Sequence, residues 1–156
     1  MVDNFSQLIR KQETIYTFLQ QIYEKELNKK FLAEMPEKMK PLATATGLLS
    51  SKKMKKVIEE YLQFSNSISS QNLDTIETQL AADYARLFLS LNKVPAHPSE
   101  STYREGTMMQ HHRDEVLEVY WSFGVSAVEE FTEPEDHIAT ELSFMAFLCQ
   151  KTNRTC

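Results

Sequence analysis

Three glycines, five prolines, two cysteines and one tryptophan in 156 residues set the first limits on this chain. Many short strands joined by tight turns require glycine and proline punctuation, so the composition points away from a β-rich fold and towards helices. So few glycines also leave no glycine-rich loop able to cradle a phosphate. Cys149 and Cys156 lie seven positions apart, roughly 10 Å of rise on a continuous helix, which is beyond disulfide reach. They read as free thiols in a reducing compartment, and their spacing is not that of a zinc site. No apolar run reaches the roughly 18 residues of a membrane span. The opening "MVDNFSQLIRK" lacks a basic segment, an apolar core and a small-residue cleavage site, so a soluble, unexported protein is expected.

What is present is an apolar fraction of 42% and a charged fraction of 25%, enough for one domain with one sizeable core. The net charge is -5, and Glu129, Glu130, Glu133, Glu135 and Asp136 alone account for it; elsewhere acids and bases balance. Nucleic-acid binding needs clustered excess lysine and arginine, so that class is set aside. The one basic cluster, "KKMKK" at 52–56, reads as a solvated helix face.

Apolar spacing of three and four predicts a helix over 3–27, carried by Phe5, Leu8, Ile9, Ile15, Tyr16, Leu19, Ile22, Tyr23 and Leu27. A short segment near 28–35 should stop at Pro36, with Pro41 extending the connection. Met54, Val57, Ile58, Tyr61, Leu62 and Ile68 define another helix. Asp74 and Glu77 have capping-box spacing ahead of a stripe of Ile76, Leu80, Tyr84, Leu87, Phe88 and Leu91. Pro95 and Pro98 impose a loop; a further helix is expected from about Thr102 or Gly106 through Met109, His112, Val116, Val119, Tyr120 and Phe123 to Gly124. Pro134 suits the first position of the last helix, with Glu135 and Asp136 in its first turn. The expected fold is all-α: a single-domain bundle of five or six helices spanning 1–156, with an acidic hinge at about 125–136.

The last helix is unusual. Ile138, Leu142, Met145, Ala146 and Cys149 form one stripe, and Phe144, Phe147 and Leu148 cover much of the remaining circumference. Such a helix must be surrounded, either in the middle of its own bundle or by a second molecule. His137 with Glu141, and His111, His112 with Glu115, have a spacing that can serve a metal. No second helix in register is identified, and the local alternative is that His137 hydrogen-bonds within the elbow. Neither cysteine sits in surroundings that activate a thiol, and the acids of the elbow read as a mobile surface loop. No residue set supports an enzyme. A negative loop beside apolar helices instead suits a partner with a basic head and an apolar stretch.

Three stretches carry a family resemblance. "EPEDHIATELSFMAFL" resembles the E-P-x-D-H-x-x-x-E-L-x-F-M segment of the TorD/DmsD/NarJ-type redox-enzyme maturation chaperones. "LAADYARLFL" at 80–89 is similar to their L-x-x-E-Y-x-R-L-F helix, with Asp83 where Glu is usual, and "PSESTY" at 98–103 to their P-x-E-S-x-Y loop. The resemblance implies a cytoplasmic, all-helical chaperone that binds the twin-arginine signal peptide, or the apoprotein, of a molybdopterin oxidoreductase subunit and assists its assembly before export. It implies Glu133, Pro134, Asp136 and His137 as peptide-binding residues. Tyr84, Arg86, Phe88, Pro98, Glu100, Ser101, Glu141 and Leu142 follow as supporting ones. It implies no resident cofactor or metal, beyond weak GTP binding. Family members run further past the last helix than this chain does, so a homo-oligomer through that helix, a domain exchange or a longer natural chain is expected to supply the cover. The competing readings are an oligomeric helical scaffold or regulator without signal-peptide binding, and a small metal-binding helical protein.

Overall fold

Ile15, Phe18, Leu19 and Ile22 recur at helical spacing, and in the computed structural model of the protein they line the inner side of α1 (Val2–Glu24). The structure describes residues 2–45, 52–68, 72–89, 94–108, 111–126 and 133–155. After α1 come α2 (Lys29–Ala45), α3 (Lys52–Ile68), α4 (Leu73–Phe88), α5 (Glu100–Glu105), α6 (His111–Ser122) and α7 (Ile138–Thr155). The fold is thus the expected single all-helical domain, with seven helices among the described residues in place of five or six. None of them is long and apolar enough to cross a membrane.

The expected break at Pro36 does not occur: α2 runs through both Pro36 and Pro41. Leu32, Met35, Met39 and Leu42, at intervals of three and four, are all buried against Phe18, Ile68 and Ile76. Burying four such side chains is worth roughly 1.5–3 kcal/mol each, enough to offset a cost of roughly 3 kcal/mol for each of the two prolines. The start of α2 is pinned by Asn28, whose Oδ1 accepts the Phe31 N–H at 2.9 Å, and by Glu77, whose Oε1 accepts the Lys29 N–H at 2.9 Å. Glu77 therefore caps α2 and takes no part in a box with Asp74. The N-cap of α4 is Asn72, its side chain accepting the Asp74 N–H, while Asp74 pairs with Lys29.

Between the prolines and Gly124 two helices stand where one was expected. Gly106, at φ 78°, closes α5 in the left-handed conformation that glycine adopts without strain, and α6 starts afresh at His111. The last helix starts at Ile138, later than Pro134, so Glu135 and Asp136 lie in a turn ahead of it, and it extends to Thr155. Leu91, Met109, Glu129, Glu130 and Cys156 lie outside the described residues, as does the side chain of Met54.

α1 serves two packed groups. One side meets α2 to α4 and the cluster around Leu32 and Met35; α7 lies along it as its most extensive helix neighbour. Small buried residues, Ala139, Ala146 and Cys149, run the length of α7. On another flank Phe144 sits 4.5 Å from Tyr120 and 5.7 Å from Phe123, ring centre to ring centre, bringing α6 onto α7. The apolar helix is thus covered largely within its own bundle, with Met145 left 39% exposed.

Pro41 is exposed and is not part of the buried cluster. Replacing it should restore one helical hydrogen bond without opening a cavity. Pro41→Ala is expected to raise unfolding free energy by about 1–2 kcal/mol in urea titration.

Candidate functional site

The loop after Pro98 and the elbow before Ile138 are 35 or more positions apart in sequence and meet as a short antiparallel bridge between Ser99 and His137. The Ile138 N–H donates to the Pro98 carbonyl at 2.8 Å, and the Glu100 N–H to the Asp136 carbonyl at 3.1 Å. Each of these N–H groups is the first of a helix, α7 and α5 respectively, and would be an orphan donor without the bridge. The second N–H of each helix is met by a side chain. Asp136 Oδ2 accepts the Ser101 N–H at 2.8 Å and the Ser101 hydroxyl at 2.5 Å, which caps α5 in place of the hydroxyl of its own N-cap, Ser99. His137 Nδ1 accepts the Ala139 N–H at 3.1 Å, capping α7.

That acceptor role requires a neutral imidazole with its proton on Nε2. Burial pushes the His137 pKa below its ordinary value, although Glu133 and Asp136 pull the other way. Asp136 and His137 are 1% and 2% exposed. The expected mobile surface loop of acids is therefore corrected: Asp136 is a buried structural cap, and Pro134 is buried as well. The local reading of His137 is the one its geometry bears out.

α6 holds the elbow from the other side. Arg113 forks onto Glu135, Nη2 reaching Oε1 at 3.1 Å and Nε reaching Oε2, while the Tyr120 hydroxyl donates to the Glu135 carbonyl at 3.0 Å. The Arg113 guanidinium holds the Glu135 carboxyl below the usual carboxylate range. Beside these contacts lies a groove of about 470 Å³, with Tyr120, Val125, Phe144 and Phe147 among its walls and Glu133 and Glu135 at its acidic end. Among the described elbow acids the Glu133 side chain, 38% exposed, is the most open to solvent.

A second cavity, about 350 Å³, opens on another side of the bridge, lined by Tyr23, Phe88, Ser99, Tyr103, Asp136 and Glu141 among others. Burial, then the neighbouring Glu100 and Asp136, raises the Glu141 pKa to about 7. Tyr84 donates its hydroxyl to the Tyr23 carbonyl at 3.1 Å, and the Tyr23 ring meets Phe88 edge-on at 5.9 Å, fixing the end of α1 against α4. Arg86 is exposed, paired with Asp83 at 2.9 Å, and lines neither cavity. Leu142 is half-buried in α7. His111 and His112 both contact Glu115, and among the described residues no three His, Cys, Asp or Glu side chains gather to hold a metal. Arg113, Tyr120, Phe144 and Phe147 were not singled out for the site by sequence. Arg113 lies 22 positions from its partner, and no local spacing announces such a pair.

The elbow and the last two helices thus form an apolar groove with acidic side chains in its lining, in an all-helical bundle. A sequence model of the nitrate reductase delta subunit matches residues 28–156, and the chain belongs to that family. It is 28% identical over 145 residues to the chaperone protein TorD of Vibrio parahaemolyticus, covering 92% of this chain and 66% of that protein. To TorD of Vibrio cholerae it is 26% identical over 155 residues, covering 99% and 69%. The chain thus spans about two thirds of the length of these curated relatives, which are named as chaperones and not as catalysts. The crystal structure of a candidate redox enzyme maturation protein from Archaeoglobus fulgidus shares the fold, with a TM-score of 0.56 at 18% identity over 88% of this chain and 72% of that one.

Two measurements follow from the bridge. Asp136→Ala removes a charge-assisted cap and strands two donors of α5, so it should lower unfolding free energy by roughly 2–4 kcal/mol, against about 1 kcal/mol for Ser101→Ala. Urea titration of both variants checks the order. A group whose folded pKa is raised, like Glu141, contributes stability that is present below its unfolded pKa and lost as pH rises through its folded pKa. His137 and Glu135, with lowered values, act in the opposite sense. Glu141→Gln, which mimics the protonated acid, should therefore exceed the wild type in thermal midpoint above about pH 7, with the gain vanishing at about pH 5 or below.

Proposed function

We propose that this protein is a cytoplasmic assembly chaperone that binds the twin-arginine signal peptide, or the apoprotein, of a molybdopterin oxidoreductase subunit and assists its maturation before export. The groove beside the elbow carries this reading. Its aromatic walls suit an apolar segment and its Glu133 and Glu135 end suits a basic head, the two features of such a leader in the right chemical order. The net charge of -5, concentrated by sequence around the elbow, favours encounter with a cationic segment. The names of the curated relatives, chaperone protein TorD, agree with this role.

In this reading Glu133 makes the direct contact, while Pro134, Asp136 and His137 hold the frame on which it stands. Glu135 is already engaged by Arg113, so a ligand guanidinium would share it or displace that partner. Tyr84, Phe88, Pro98, Glu100, Ser101, Glu141 and Leu142 act through the packing and caps described above, and Arg86 has no part in the groove.

A second reading, self-association through the last helices, is favoured by a shallow apolar cleft along Val116, Val119, Phe144 and Met145, where Val119 and Met145 remain exposed.

Calorimetric titration with a synthetic peptide of two adjacent arginines and an apolar run separates the readings. Binding should weaken as salt rises, and Glu133→Lys and Phe147→Ala should each lower affinity at least about tenfold while keeping the helical melt. Affinity indifferent to salt and to both substitutions would sink the groove as the leader's site. Concentration-dependent dimerisation in sedimentation with no peptide binding would favour the second reading.

A further inference from the structure

The groove beside the elbow does not end at Phe147. Thr140, Phe144 and Phe147 of α7 line it, and Phe147, Lys151 and Arg154 line a further hollow of about 350 Å³ towards the end of the same helix. These five residues follow one another at intervals of four, three, four and three, so they share one face of α7. The two spaces meet at the Phe147 side chain and form one trough along that face. From Thr140 to Arg154 it runs for about 21 Å, at about 1.5 Å per residue.

The charge along this trough changes sign. Glu133 and Glu135 stand at the elbow end, and Lys151 and Arg154 at the other. The Lys151 Nζ lies 5.4 Å from the Phe123 ring centre and 5.9 Å from that of Phe147, and it donates to the Phe123 carbonyl at 3.4 Å. These contacts hold the ammonium beside the aromatic wall. Arg154 is exposed, and no carboxylate of the described residues lies within ion-pair distance of it. A cation in the last turn complements the helix dipole on whichever side of the helix it stands. Two cations on the aromatic face extend the charge pattern of the trough beyond what the helix end requires.

We propose that the Lys151 and Arg154 end of the trough is a specificity site for an anionic group of the bound polypeptide, a Glu or Asp side chain lying beyond its apolar run. This rests on the leader-binding reading above and adds a third requirement to it: basic head at Glu133, apolar body against Phe144 and Phe147, carboxylate at Lys151 and Arg154. The bound segment then runs in the same direction as α7. Over about 21 Å, the acid stands roughly 14 residues after the head in a helical segment and roughly six or seven in an extended one. A basic residue at that place meets two like charges. The far end of the trough therefore discriminates among leaders that share a basic head and an apolar run.

The test uses the whole chain and synthetic peptides with amidated C-termini, each of two arginines and an apolar run, bearing Glu, Ala or Lys about six or about fourteen residues after the arginines. Calorimetric titration at low salt should rank them Glu, Ala, Lys at one of the two spacings, with about threefold or more between Glu and Ala and about tenfold or more between Glu and Lys. Arg154→Glu should bring the Glu and Lys peptides within about twofold of each other and leave the Ala peptide as it is with the wild type. Arg154→Gln, which keeps the length and removes the charge, should shrink the preference without reversing it. Equal affinities of the Glu, Ala and Lys peptides for the wild type, with binding still weakened by Glu133→Lys, overturn this inference and leave the leader-binding reading standing. A preference for Glu that Arg154→Glu leaves intact overturns it as well. Absence of binding by every peptide overturns both.

Discussion

Two helix N-termini cannot meet inside a protein unless their free N–H groups find acceptors. At the Ser99–His137 bridge each helix is given acceptors by the segment leading into the other: the Pro98 carbonyl serves α7, and the Asp136 carbonyl and carboxylate serve α5. The docking is reciprocal, so neither helix start can be well placed without the other. The positive ends of two helices also converge there, which makes a buried carboxylate at Asp136 tolerable where an isolated one would be costly.

From this joint the two cavities take their places. Glu133 and Glu135 flank the elbow on the side of α6, where Arg113 and Tyr120 hold it and the aromatic side chains of α7 complete the groove. Asp136 and Ser99 turn to the side of α1 and α4, where Tyr84 anchors the end of α1 and leaves Tyr23, Phe88 and Tyr103 around an acidic hollow. Adjacent residues of one turn thus serve different purposes, structural capping for one acid and display for another. A charge count along the chain cannot separate them.

The long apolar α7 is what allows so short an elbow to be rigid. Its small residues let α1 lie along it, and Phe144 ties it to α6 through Tyr120 and Phe123. The elbow is therefore bounded by helices that are themselves fixed by burial. Groups placed there keep a defined geometry, as a binding site requires.

Helical periodicity, scarcity of glycine and the motif stretches determined the all-α class, most helix positions and the neighbourhood of the site, because these signals are local: a stripe of apolar residues specifies a helix wherever it packs. The passage of α2 through Pro36 and Pro41 was decided by tertiary burial of Leu32, Met35, Met39 and Leu42, whose combined gain exceeds the local cost of proline. The division of the 100–124 region into α5 and α6 was decided by the remote cap at Asp136 together with Gly106. Which acids of the elbow are buried and which stay open to solvent also lay beyond the sequence. That depends on contacts such as Arg113 to Glu135 and Ser101 to Asp136, made across 22 and 35 positions, and only the folded chain brings such positions within hydrogen-bonding distance.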